Sequence, residues 1–123
     1  MTPEQKAEQA QALIKACYDD GVATIDDVDY CFHKMTHKKR RKVFAYFTTL
    51  QTVSDLGFLD SERFDKVIEP IINEHVTVGG VDGPMLAKCY DAHWETHQKS
   101  YTTFIQTALG VISYPFLPEN AIG

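Results

Sequence analysis

Cys89, His93 and His97 recur every four residues, a spacing that lines one face of a helix. Histidines at i and i+4 can share a metal ion, and a thiolate one turn earlier lies within geometric reach. The pattern departs from the metalloprotease motif, in which the Glu directly follows the first His. In His93-Trp94-Glu95-Thr96-His97 the Glu stands two positions on and points to another face. No second ligand cluster stands at finger spacing elsewhere. The plainer reading is a helix face with one buried thiol and two half-exposed imidazoles, and no cofactor is expected. His33 and His37 repeat the spacing, but Thr36 breaks the segment between a strand and a helix. Cys17, Cys31 and Cys89 each fall in an apolar pattern that suits core thiols better than nucleophiles. Gly79-Gly80 and Gly83 lack the Lys and Ser/Thr of a phosphate-binding loop. Asp19, Asp20, Asp26, Asp27 and Asp29 lack the alternating spacing of a calcium loop.

Charge is patterned more sharply than chemistry. Lys38-Lys39-Arg40-Arg41-Lys42 holds 5 of the 12 Lys/Arg, so the rest of the chain carries 7 against 17 Asp/Glu, a net −10 beneath the overall −5. Five adjacent cations with Phe44, Tyr46 and Phe47 behind them could contact a phosphate backbone. Helical spacing spreads five consecutive residues over more than one turn, however, and the acidic body repels nucleic acid. The run therefore reads as a protein-facing basic collar. The acidic stretch with Asp26 and Asp27 is its natural complement, within one chain or head to tail between copies.

With 123 residues the chain suits one core and one domain. Its 44% hydrophobic and 24% charged residues match a soluble globular composition. Three irregularly spaced Cys argue against a disulfide framework and for a reducing compartment. The longest uncharged run, Ser100 to Pro118, is interrupted by Gln106, Gly110 and Pro115, so no membrane span is expected.

Periodicity predicts a mainly α fold of about five helices with a short N-terminal β-hairpin. Residues 1–112 form a single helical domain, with the hairpin near 22–33, and 113–123 a Pro-containing C-terminal tail. Thr2-Pro3 and Gln5 mark the start of a helix running to about Asp19. Val28, Tyr30 and Phe32 alternate as in a half-buried strand, paired with Val22–Ile25. Thr36 caps a second helix from His37 to about Asp55, with Val43, Phe44, Phe47 and Leu50 on its apolar stripe. The basic run falls in the first turn and a half of that helix, where cations oppose the helix dipole. Compensation is expected from the Asp cluster of residues 19–29 or from a partner. A third helix starts near Asp60 or Ser61 and carries Phe64, Val67, Ile68, Ile71 and Ile72, with a kink or early end at Pro70. Val76–Val78 is a short extended piece, and Asp82-Gly83-Pro84 a turn into a fourth helix, Met85 to His97. Ser100 caps a fifth, Tyr101 to about Ile112. Beyond it Tyr114, Phe116 and Leu117 form an apolar segment that either folds back onto the core or stays open to another protein.

This order of elements resembles the tail assembly chaperones of long-tailed bacteriophages. The features that carry the resemblance are Phe32-His33-Lys34-Met35-Thr36 leading into Arg40-Arg41-Lys42-Val43-Phe44, Phe64 to His75 before Val76-Thr77-Val78-Gly79, and His93-Trp94-Glu95-Thr96-His97 before a last helix ending at Tyr114-Pro115-Phe116. They span about Val22 to Leu117. The resemblance implies a non-enzymatic role in the host cytoplasm: coating the tape measure protein, keeping its apolar helices soluble and helping recruit tail tube subunits. A longer frameshifted product is common in that family and would here diverge after Ile112; self-association is expected from the opposed acidic and basic patches, since copies of a chaperone must line up along a long client. On this reading Lys38–Lys42, Asp26, Asp27, Tyr114, Phe116 and Leu117 are the protein-binding candidates. A small phage- or plasmid-encoded inhibitor of a host protein is the competing class, and a small DNA-binding regulator is the third.

Overall fold

A computed structural model describes residues 21–50 and 56–116. The helix expected over 3–19 and the residue Leu117 lie outside them. Strands β1 (Val22–Ile25), β2 (Val28–Phe32) and β3 (Val76–Val78) form one antiparallel sheet in the order β1-β2-β3. The helices are α1 (His37–Phe47), α2 (a π turn Phe64–Ile68 continuing as α-helix Glu69–Asn73), α3 (Leu86–Thr96) and α4 (Tyr101–Ser113). Short 3-10 turns occupy Leu56–Asp60, Gln98–Ser100 and Tyr114–Phe116.

The expected hairpin is present, with Ile25 opposite Val28 and Asp26-Asp27 as its two-residue turn. Both turn residues have positive φ, 49° and 68°, the left-handed geometry whose twist matches the flanking strands. The extended piece at Val76–Val78 becomes a third strand, pairing Tyr30 with Val78 and Phe32 with Val76. Three strands on a helical layer solve the instability of an isolated hairpin. Tyr30 is fully buried at their centre, against Phe104 at 4.8 Å and Trp94 at 6.0 Å.

Three details of the helices differ from the sequence expectation, each for a local reason: where α1 ends, how α2 takes up its proline, and how α4, which spans Tyr101–Ser113 much as expected, is capped. Thr36 does cap α1, its hydroxyl accepting from the Lys39 amide, but the helix stops at Phe47 rather than near Asp55. Thr48 and Thr49 donate their hydroxyls to the Ala45 and Tyr46 carbonyls at 2.8 and 2.6 Å, and the amides of Thr49 and Leu50 tighten to three-residue bonds. In α2 the proline does not end the helix. Pro70 has no amide to give, and the chain absorbs this one turn earlier by widening, so that the Glu69 amide donates to the Phe64 carbonyl. The extra residue shifts the face, which leaves Val67 39% exposed although the pattern placed it in the core. At α4, Ser100 makes no side-chain cap; its hydroxyl donates to Asp26 Oδ2 at 2.5 Å instead.

Helix α4 is the centre of the molecule. From Phe104 to Ser113 every residue except Gln106 is buried, and the sheet, α1 and α3 surround it.

Candidate protein-interaction surface

In the basic run, burial divides the five cations. Lys38, Arg41 and Lys42 are exposed, at i, i+3 and i+4 and therefore on one face, while Lys39 and Arg40 lean toward the body. The compensation expected from Asp26, Asp27 or Asp29 does not come from them: among the described residues, none of the five cations lies within ion-pair reach of a carboxylate. Asp26 accepts from Ser100, and Asp29 Oδ1 accepts from the Thr24 hydroxyl at 2.6 Å. Asp27 stays exposed on the hairpin turn. Asp19 and Asp20 lie outside the described residues.

A backbone carbonyl supplies part of the compensation instead. Arg40 Nη1 donates to the Ile112 carbonyl at 3.0 Å, in the last turn of α4. Arg40, one of the cations that oppose the dipole of α1, thus sits against the negative end of α4, where it is favourable. Arg40→Ala is expected to cost about 1–2 kcal/mol, as a half-buried charge-assisted bond is lost. Lys38→Ala should stay within about 0.5 kcal/mol. Urea midpoints of the two variants check this.

The apolar tail folds back as far as it is described. Tyr114–Phe116 continues α4 as a 3-10 turn, and the Phe116 ring packs 5.2 Å from Phe44 and 5.6 Å from His37. Phe116 therefore contributes to the surface beside the basic turn rather than standing free of it.

The Cys89/His93/His97 face is not drawn together for a metal. Cys89 has non-helical angles (φ −118°, ψ 19°) that kink α3, and its thiol donates to the Met85 carbonyl. His93 Nε2 is hydrogen-bonded to the Tyr30 hydroxyl at 2.8 Å. The His93 and His97 rings lie 4.6 Å apart, tilted by 32°. Among the described residues no three His, Cys, Asp or Glu side chains group as a metal site. His93 works as a half-buried partner of the core tyrosine.

That pair carries a pH signature. Burial first, then the neighbouring His97, lowers the His93 pKa. Burial, with a smaller push from Asp26, raises Tyr30 to about 12. Above pH ~10 an unfolded chain releases the phenol proton while the fold keeps it, so stability falls between about pH 10 and 12, by ~1.4 kcal/mol per unit for this group. On the acid side the unfolded His takes up its proton near pH ~6.5 while the folded one resists, so stability also falls as pH drops below that value. Denaturation midpoints across pH 5 to 12 should show both slopes, and Tyr30→Phe should make the alkaline one shallower, the remainder coming from Tyr90 and Tyr101.

The sequence reading missed one polar cluster. Glu69, 93% buried, accepts hydrogen bonds at Oε2 from Tyr90 (2.7 Å) and Tyr101. Burial, then the bond to Glu69, pushes Tyr90 up to about 12, and the same two causes push Tyr101 higher. Its sequence signal was present: Glu69 is the lone charge between Lys66 and Glu74, inside an apolar run. The cluster ties α2 to α3 and α4 and fixes an open groove lined by Tyr90, Asp91, Trp94, Glu95, Gln98 and Tyr101.

No family model, curated protein or solved structure matches the chain. Among the described residues, no helix is long and apolar enough to cross a membrane.

Proposed function

We propose that the chain is a non-enzymatic tail assembly chaperone of a long-tailed bacteriophage, working in the host cytoplasm through contacts with other proteins. On this reading it coats the tape measure protein, keeps the long apolar helices of that client soluble and helps bring tail tube subunits to it. The observation that supports it best is the outward face of α1. Lys38, Arg41 and Lys42 project together from a helix whose own dipole they oppose. A cationic face of this kind gains most when an acidic protein surface covers it. Phe116, half-buried beside His37 and Phe44, adds apolar area to the same end of the molecule. Co-expression of the chain with the tape measure protein of its phage tests the reading: the two should purify together, and the client should fall out of solution without the chain.

The three-cation face also favours a second reading, a small DNA-binding regulator. That reading makes a sharp demand. Three phosphate contacts would give a log–log salt slope of about −2.7, because each neutralised phosphate releases its condensed counterions. A gel shift that vanishes with salt along that slope would favour the regulator; no shift at low salt would remove it.

A further inference from the structure

Helix α4 separates two ends of opposite charge. Its C-terminal end carries the basic turn of α1, held there by the bond from Arg40 to the Ile112 carbonyl. Its N-terminal end begins at Tyr101, eleven residues and about 17 Å of helical rise away. At that end Tyr101 joins Tyr90, Asp91, Trp94 and Glu95 in the open groove. The bond from Ser100 to Asp26 fastens the hairpin turn to the same end, where Asp26, Glu95 and His97 line an adjoining depression. Asp26, Asp27, Asp91 and Glu95 are all exposed there, against Lys88 and Lys99.

The groove has the chemistry of a cation site. The Tyr90 and Tyr101 hydroxyls are turned inward to Glu69, so their rings form its wall together with Trp94, which meets Tyr101 edge-on at 5.1 Å. Aromatic surface beside carboxylates suits a guanidinium or ammonium group. We infer that this groove receives the basic turn of a second copy of the chain, Arg41 entering between the rings and Asp91 and Glu95, with Lys38 and Lys42 alongside.

The occupant follows from charge and distance. Lys38, Arg41 and Lys42 are exposed and unpaired among the described residues, and about 17 Å of helix keeps them from the groove of their own copy. A contact between different surfaces of identical chains is heterologous and continues from copy to copy, as a ring or an open row. This rests on the proposed function for its purpose, since a row of copies suits a long client, but its test is independent of any client.

Sedimentation of the full chain at low salt should show concentration-dependent association, weakened about tenfold or more at high salt as the charges are screened. Paired charge reversals R41E/K42E and D91K/E95K should each reduce self-association at least tenfold. Mixing the two variants should restore it, because the reversed turn then meets the reversed groove. All four positions are exposed, so melting temperatures should match the parent chain and exclude misfolding. Trp94, the sole tryptophan, gives a second readout, an emission change on dilution that the reversals abolish. A chain monomeric at every concentration, reversals without effect, or variants that stay apart when mixed would each overturn the inference. Loss of self-association in R41E/K42E supports the inference, and client binding retained in that variant would show that the client is held away from the cationic face. Client binding absent while the reversals behave as stated would sink the chaperone alone.

Discussion

Gly83→Ala is expected to lower the melting temperature by about 8 °C or more, corresponding to a loss of ~2 kcal/mol or above for a chain of this size. A Cβ at this position would stand 2.0 Å from the Val78 carbonyl oxygen and 2.9 Å from its carbon. Those atoms belong to backbone at the end of a strand, so no side chain can swing away to make room. The loop has to open, and with it go the bond from the Val78 amide to the Pro84 carbonyl at 3.0 Å and the bridge between Thr77 and Met85. These contacts hold the start of α3 against β3. Gly79→Ala is the control: its φ of +85° strains any other residue, but its Cβ would meet nothing within 4 Å, so about 1–2 kcal/mol is expected. Thermal melts by circular dichroism should rank the variants in that order, and equal melts would mean that the loop is not closed as described.

Glu69→Ala should cost about 3 kcal/mol or more. It removes the acceptor of two tyrosine hydroxyls at once, in a site where water is scarce, and a stranded donor there costs ~1–3 kcal/mol. Tyr90→Phe should cost less, about 1–2 kcal/mol, because Tyr101 still donates to the same carboxylate oxygen. Glu69→Gln keeps an oxygen that can accept both bonds and should recover much of the loss. The double variant Glu69→Ala with Tyr90→Phe should fall well short of the sum of its parts, as expected of residues sharing one network. Urea unfolding of the four chains measures this; strict additivity would show that the hydroxyls are not held by Glu69.

These positions show where sequence reading reaches and where it stops. Alternation at Val28, Tyr30 and Phe32 and the cap at Thr36 are local signals, and the hairpin and the start of α1 follow them. The third strand was legible only as an extended piece, because pairing Val76–Val78 with β2 joins residues more than forty apart. The π turn before Pro70 was hidden for a different reason. The sequence announces that a bond is lost but not which of kinking, ending or widening relieves it, and packing of Phe64, Ile68 and Ile72 in the core selects the last. For the interaction surface the five cations were plain, yet their division into three outward and two inward depends on α4. A run of like charge against a helix dipole implies a compensating group without naming it, and here the group recognised is a carbonyl at the far end of the chain. The groove beside Glu69 was the least visible feature: its lining recurs at three- and four-residue steps from Tyr90 to Tyr101, but the carboxylate that holds its two tyrosines comes from α2, more than twenty residues earlier.

On the proposed function the chain holds a long helical client in solution. The most direct measurement is the soluble yield of the tape measure protein expressed with and without the chain, followed by affinity purification of the chain itself. The client should be recovered in the soluble fraction only when the chain is present, and should elute with it. A client equally soluble without the chain, or one that never elutes with it, would contradict the claim.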